Sequence, residues 1–178
     1  MENDRRHTAI HEAGHAVIGR LLKMLCGGAS IIPNDDLGSA GNATIEPADV
    51  IAHQWELRGK FREYPRSAMR GRILTAMAGR EAEAAILGDV LGCDEADLET
   101  IEAMAEDVVD DLDRRPVVEA RLRRFARQLV CRHRQDIERI AAALEERHAL
   151  TGEEIDAMMP PGFMARPVTW ALALAEDA

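Results

Sequence analysis

Aromatic side chains are scarce in this sequence, with three phenylalanines, two tryptophans and one tyrosine in 178 residues. A core with so few rings must be filled by aliphatic side chains, and the alanine- and leucine-rich segments predict helix packed on helix. Cysteine is nearly as rare. Cys26, Cys93 and Cys131 are odd in number and show no CxxC spacing, which argues against a disulfide framework or a cysteine-held metal. They read as reduced thiols of a cytoplasmic protein. No apolar run approaches the ~20 residues of a membrane-spanning helix, and Met1-Glu2-Asn3-Asp4 lacks the basic and then apolar regions of a signal peptide. Positive charge is also in deficit. A net charge of −10 opposes phosphate over most of the surface, so nucleic acid is not expected as a partner. The basic cluster Arg121, Arg123, Arg124, Arg127, Arg132 and Arg134 reads as the solvated face of a long helix.

What is present suits a folded domain. Hydrophobic residues make up 47% and charged residues 30%, a balance that can bury a core at this length. A first helix is predicted from Asn3 or Asp4 to about Cys26, with Ile10, Val17, Ile18, Leu21, Leu22 and Leu25 on its apolar side and Gly27-Gly28 as its stop. Short strands are predicted over 29–33 and 42–46, together a small sheet or hairpin. An irregular helix is expected over 48–64, then a clearer one from Arg66 to Leu87. After a loop, Leu98, Ile101, Met104, Val108 and Leu112 mark another apolar stripe. Its acidic run from Glu99 to Asp113 lacks the alternation and glycine of a calcium loop and reads as a solvated face. Pro116 opens one long helix to about His148, striped by Leu122, Phe125, Leu129, Ile137, Ile140 and Leu144. Thr151 and Glu154 form a capping box for a short last helix. The expected fold is therefore mainly α, with a small hairpin or sheet beside the first helix.

The chemistry sits in His11-Glu12-Ala13-Gly14-His15. Histidines four apart on a helix share a face, separated by roughly 6 Å along the axis, so both can reach one ion. Nitrogen ligands suit zinc, which in catalytic sites keeps a coordination position open and lowers the pKa of its water to about 7. Glu12 lies beside that face and can take the water's proton and give it to a departing amine. Gly14 costs about 1 kcal/mol relative to alanine in mid-helix and predicts the close approach of another segment. His7, one turn earlier, reads as a solvent-facing helix-start residue, and His133 as a hydrogen-bonded core histidine. His53 and His148 have no partner at metal spacing. A third ligand is still needed. Asp97 falls in phase with Ile101, Met104 and Val108 and so begins a buried stripe, where a carboxylate needs an ion or a donor. Asp94 and Asp97 also have the spacing of an N-cap and its N3 partner, so spacing leaves both readings open.

Several blocks, in order over about residues 5–159, resemble the peptidase domain of the FtsH-type, membrane-anchored AAA+ zinc metalloproteases. His11 to Ala16 (HEAGHA) is similar to that family's zinc helix and Ser30 to Pro33 (SIIP) to the strand after it. Met77 to Gly88 (MAGREAEAAILG) resembles its AGRAAEE-type helix, and Leu129 to Ile155 its closing helices. Laying Gly88 to Leu98 (GDVLGCDEADL) on the family's GEVTTGASNDL-like stretch implies Asp97 as the third ligand. Domain boundaries follow as a peptidase domain over 1–159 and a C-terminal tail over 160–178. The resemblance departs at Cys93, Asp94 and Glu95, and no GxxxxGK[ST] phosphate loop occurs in the sequence. The chain is thus either a separate peptidase-like protein or a piece of a longer one.

The expected function is a zinc-dependent, ATP-independent endopeptidase acting on unfolded or extended polypeptide. One Zn2+ would be held by His11, His15 and Asp97, with Glu12 as general base. An edge strand near the metal would hold the substrate by main-chain pairing, with Ser30, Ile31 and Ile32 as contacts and 42–46 as the other candidate strand. The family's rings of six imply a homo-oligomer, and the missing phosphate loop implies a separate ATPase partner. The alternative is a metal-stabilised binding or regulatory module without useful turnover.

Overall fold

A computed structural model describes residues 2–24, 26–33, 40–45, 64–92, 95–108 and 112–165. Within them the chain forms six α-helices and a three-stranded sheet, the mainly α fold expected. Helix α1 spans Glu2–Leu21. It ends short of the predicted Gly27-Gly28 stop because Lys23 turns left-handed (φ 64°) and the Met24 N–H returns to Gly19 O at 2.8 Å. That is a glycine-type helix ending made by lysine. The two glycines serve strand β1 (Cys26–Ser30) instead. A Cβ on Gly28 would fall 2.5 Å from Leu150 O, so a neighbouring strand occupies that space.

Strand β2 (Asn42–Ile45) pairs antiparallel with β1, with Ser30 opposite Asn42 and Ala29 opposite Ala43. A third strand, β3 (Ala149–Thr151), pairs with the other side of β1, with Ser30 opposite Ala149. The order is β2-β1-β3, which makes β1 the central strand.

Helix α2 spans Tyr64–Ile86; the irregular helix expected over 48–64 lies outside the described residues apart from Tyr64. Helix α3 (Glu95–Val108) buries Ile101 and Val108, with Met104 partly buried. Leu98 departs from the predicted stripe and is 45% exposed. Asp97 takes the inward place in that first turn, and the next residue points ~100° away. Leu112 belongs to a separate 3-10 turn, Leu112–Arg114. The single long helix predicted next is two, α4 (Arg115–Arg132) and α5 (Arg134–Arg147), bent at His133. His133 leaves helical geometry (φ −107°, ψ 20°), its Nδ1 meets Asp136 Oδ2 at 3.3 Å, and its ring stands edge-on to Phe163. Its predicted place in the core is met. The expected stripe is buried on both sides of the bend. Helix α6 (Gly152–Met158) opens on the predicted box, in which Glu154 N donates to Thr151 Oγ1 and Thr151 N to Glu154 Oε2.

Helix α1 is the centre of the molecule, packed on α2 and α5 and under the sheet. Its buried Ala9, Ala13 and Ala16 keep it thin. A Cβ on Gly14 would lie 2.7 Å from Ala78 O, which is the close approach this glycine predicted. The result is an α1–α2 contact tight enough to hold side chains from both helices in register.

Candidate metal centre

His11 and His15 stand one turn apart on α1, ring centroids 4.6 Å apart and nearly perpendicular. Each ring is fixed from behind. His15 Nδ1–H donates to Thr75 O at 2.7 Å, and His11 Nδ1–H to Glu83 Oε1 at 2.6 Å. Both acceptors lie on α2. With Nδ1 carrying the proton, each ring presents its Nε2 to the same point. There the N-terminal turn of α3 delivers Asp97, whose Oδ2 lies 3.0 Å from both Nε2 atoms. Ligand atoms of the three residues all fall within 4.8 Å of one another. Zinc bonds of ~2.0–2.1 Å in a tetrahedron set ligand atoms about 3.3 Å apart, so the donor set fits one such ion. The helix below makes room for it: a Cβ on Gly79 would lie 2.6 Å from Nε2 of both rings.

A sequence model of peptidase family M41 matches residues 1–113, a span that contains His11, Glu12, His15 and Asp97. The chain belongs to that family. It is similar to "ATP-dependent zinc metalloprotease FtsH 3" of Conexibacter woesei, 32% identical over 61% of this chain and 13% of that one. It also resembles FtsH 1 of Symbiobacterium thermophilum (29% identical, 88% of this chain, 29% of that one) and FtsH 2 of Sphaerobacter thermophilus (27%, 96% and 30%). The chain therefore spans under a third of the length of these FtsH relatives, and what it shares with them is the FtsH-type peptidase domain. Among its described residues no helix is long and apolar enough to cross a membrane.

The electrostatics of this M41 centre favour positive charge at His11. Burial opposes a charged His11, but hydrogen bonds to Asp97 and Glu83 and the fields of Glu12 and Asp97 outweigh it and raise its pKa to about 10. Burial alone would raise the Asp97 pKa; the neighbouring His15 and His11 instead hold it well below the usual carboxylate range. A cation placed among these groups meets the same preference. Glu12, 6% exposed, faces the same cleft and among the described residues has no hydrogen bond or ion pair. Its burial raises its pKa, with His15 and His11 pulling the other way. A carboxylate in the cleft without a partner among the described residues can accept a proton.

The cleft in front of these residues has a volume of about 630 Å³ and is walled by Asn42 and Ala43 of β2. Ser30, Ile31 and Ile32 are not part of that wall. As the central strand, β1 spends its main chain on both neighbours, and Ile31 N–H is taken by His148 O at 2.8 Å. Ile31 is core, while Ile32 is 56% exposed. Among the described strands β2, the other segment with a strand signal, stands at the edge of the sheet.

Three residues behind the site escaped the sequence reading. Glu83 accepts from His11, from His7 Nδ1 at 3.0 Å and from Leu91 N at 3.0 Å. Although burial alone would raise its pKa, these bonds hold it below the usual range. Its signal was available: it lies seven residues after the buried Ala76, on the same face of α2. His7 is corrected from a solvent-facing residue to a buried one, 2% exposed and held between Glu83 and Asp89. Its position four residues before His11 placed it on the inner face. Gly79 carried no signal beyond being a glycine in mid-helix.

Proposed function

We propose that this chain is a zinc-dependent endopeptidase that cleaves extended polypeptide without ATP, with His11, His15 and Asp97 holding one ion and Glu12 as general base. The observation that carries the proposal is the meeting of three ligand atoms beside a Glu12 carboxylate that has no hydrogen bond or ion pair among the described residues. A zinc ion so held would supply a Lewis acid that polarises the scissile carbonyl and makes bound water acidic, with a pKa of about 7.

The chain's own residues do the rest. Glu83 and the Thr75 carbonyl keep protons on Nδ1 of His11 and His15, so that both Nε2 atoms remain ligands. Glu12 receives a proton on its carboxylate as a water attacks the peptide carbonyl, then returns it to the leaving nitrogen. Its burial raises its affinity for that proton. Strand β2, paired on one side to β1, offers its other edge toward the cleft for an extended peptide. An unfolded segment fits such an edge and a folded one does not. A cytoplasmic setting, a ring of identical chains and a separate ATPase that delivers unfolded substrate belong to the same proposal.

The test is cleavage of casein and of a quenched peptide library by the wild type and by Glu12→Gln. Cleavage should fall by roughly a hundred- to ten-thousandfold in the variant, since the base is lost, with zinc content unchanged. Equal cleavage by both would reject Glu12 as the base. A zinc-loaded wild type that cleaves nothing would favour the binding-module alternative.

A further inference from the structure

Arg72 is the one arginine or lysine among the described residues that line the cleft, whose other charged walls include Glu12, Glu83 and Asp97. Its Nε is buried and has no hydrogen-bond partner among the described residues. A guanidinium carries five N–H donors in a planar fork, and burying one without an acceptor is unfavourable. Burial lowers the Arg72 pKa, and Asp97 pulls it back up, so the group is a cation taken partly out of water. The Asp97 carboxylate is already engaged by His11 and His15. No described residue completes Arg72, and an anion entering the cleft would.

We propose that Arg72 binds a carboxylate of the polypeptide substrate, roughly three residues from the bond that is cut, and so selects acidic segments. This rests on the peptidase reading and adds a specificity to it. The distance follows from the helix: Arg72 precedes Gly79, the residue beneath the two imidazoles, by seven residues. Those two turns span about 10 Å on one face, and an extended peptide covers that in about three residues at ~3.3 Å each. The planar fork matches a carboxylate through two parallel hydrogen bonds. A phosphate dianion would suffer more from the surrounding Glu12, Glu83 and Asp97, so the carboxylate is the favoured anion.

The experiment uses labelled octapeptides that differ only by Glu or Gln at one scanned position, plus a pair ending in a free or an amidated C-terminus. Binding is read by fluorescence anisotropy on the zinc-loaded Glu12→Gln protein, and the cut site is mapped by mass spectrometry with the wild type. At one position two to four residues from the cut, the Glu peptide should bind about tenfold tighter than its Gln twin, the size of one charge-assisted contact. If the C-terminal pair shows the difference instead, the carboxylate is a chain end. Adding Arg72→Gln should bring the ratio to one, and Arg72→Lys should keep part of it. Melting temperatures confirm that these variants are folded. A ratio of one at every position, no binding of any peptide, or a ratio that survives Arg72→Gln would each overturn the proposal. An Arg72-dependent ratio with no cleavage by the wild type would leave carboxylate binding standing and sink the peptidase reading.

Discussion

Replacing Gly79 by alanine should separate metal binding from folding. The added Cβ would sit 2.6 Å from Nε2 of both His11 and His15, while ordinary contact begins at 3.4 Å, so each ring must retreat by about 0.8 Å. Neither ring can do so freely, because Glu83 and the Thr75 carbonyl hold their far sides. Zinc–ligand distances tolerate only about ±0.2 Å, and disturbing the groups that orient ligands typically costs 10–100-fold in affinity. With both imidazoles displaced, about 100-fold is expected, which is about 2.8 kcal/mol at ~1.4 kcal/mol per tenfold. The metal-free protein should behave differently. Alanine in place of mid-helix glycine contributes about 1 kcal/mol, offset by roughly 0.5–1.5 kcal/mol for each ring forced off its rotamer. Its melting temperature in chelator should therefore shift by only a few degrees. In buffered zinc, the metal-dependent rise in melting temperature should shrink by roughly 6–11 °C, taking about 2–4 °C per kcal/mol for a chain this long. Thermal melts in both conditions, with metal stoichiometry by mass spectrometry, provide the measurement. A Gly79→Ala protein with wild-type zinc stoichiometry and a wild-type zinc-dependent rise would refute the idea that this glycine leaves room for the rings.

Two further predictions rest on groups around the site. Glu83→Gln keeps the shape but places an amide N–H2 against donors that need an acceptor, since Glu83 now accepts from His11, His7 and Leu91. Zinc affinity by competition with a fluorescent chelator should fall 10–100-fold, and an unchanged affinity would remove Glu83 from the positioning role. Burial pushes the Cys26 thiol up to about 11, with Arg20 pulling the other way, whereas Cys131 is exposed. At pH 8 only roughly one Cys26 in a thousand is thiolate, so iodoacetamide should label Cys131 first. Cys26 labelling should rise about tenfold per pH unit toward 11; peptide mapping that finds equal labelling of the two at pH 8 would contradict this.

The legible parts of the fold were those written in one local segment. His11, Glu12 and His15 lie within five residues, Gly14 announces its own close contact, and the Thr151–Glu154 box is complete in four. The bend at His133 was not legible, because it has neither proline nor glycine; the apolar period runs through it unbroken, and Asp136 and Phe163 hold the turned geometry only once the helices have packed. Strand β3 was hidden for a related reason. Three residues between a helix end and a cap carry no alternation to read, and their pairing is imposed by β1.

The centre shows the same division at higher cost. Its two histidines are local, but Asp97 arrives from α3, and the groups that orient the imidazoles arrive from α2. Spacing could say that Asp97 faced inward and no more, since an N-terminal carboxylate on a helix has a structural use of its own. Three-dimensional placement favours the ligand reading by a single fact: one oxygen lies 3.0 Å from two Nε2 atoms whose other nitrogens are both engaged. A carboxylate serving only to cap its helix would have no reason to meet two oriented imidazoles at equal distance. The supporting residues follow from that demand. Once both Nε2 atoms must face one point, each Nδ1 needs an acceptor on the opposite side, and the helix beneath must be bare where the rings meet. Glu83, the Thr75 carbonyl and Gly79 supply those three conditions from one face of α2, which is why a motif of five residues depends on a helix that begins about fifty residues further along the sequence.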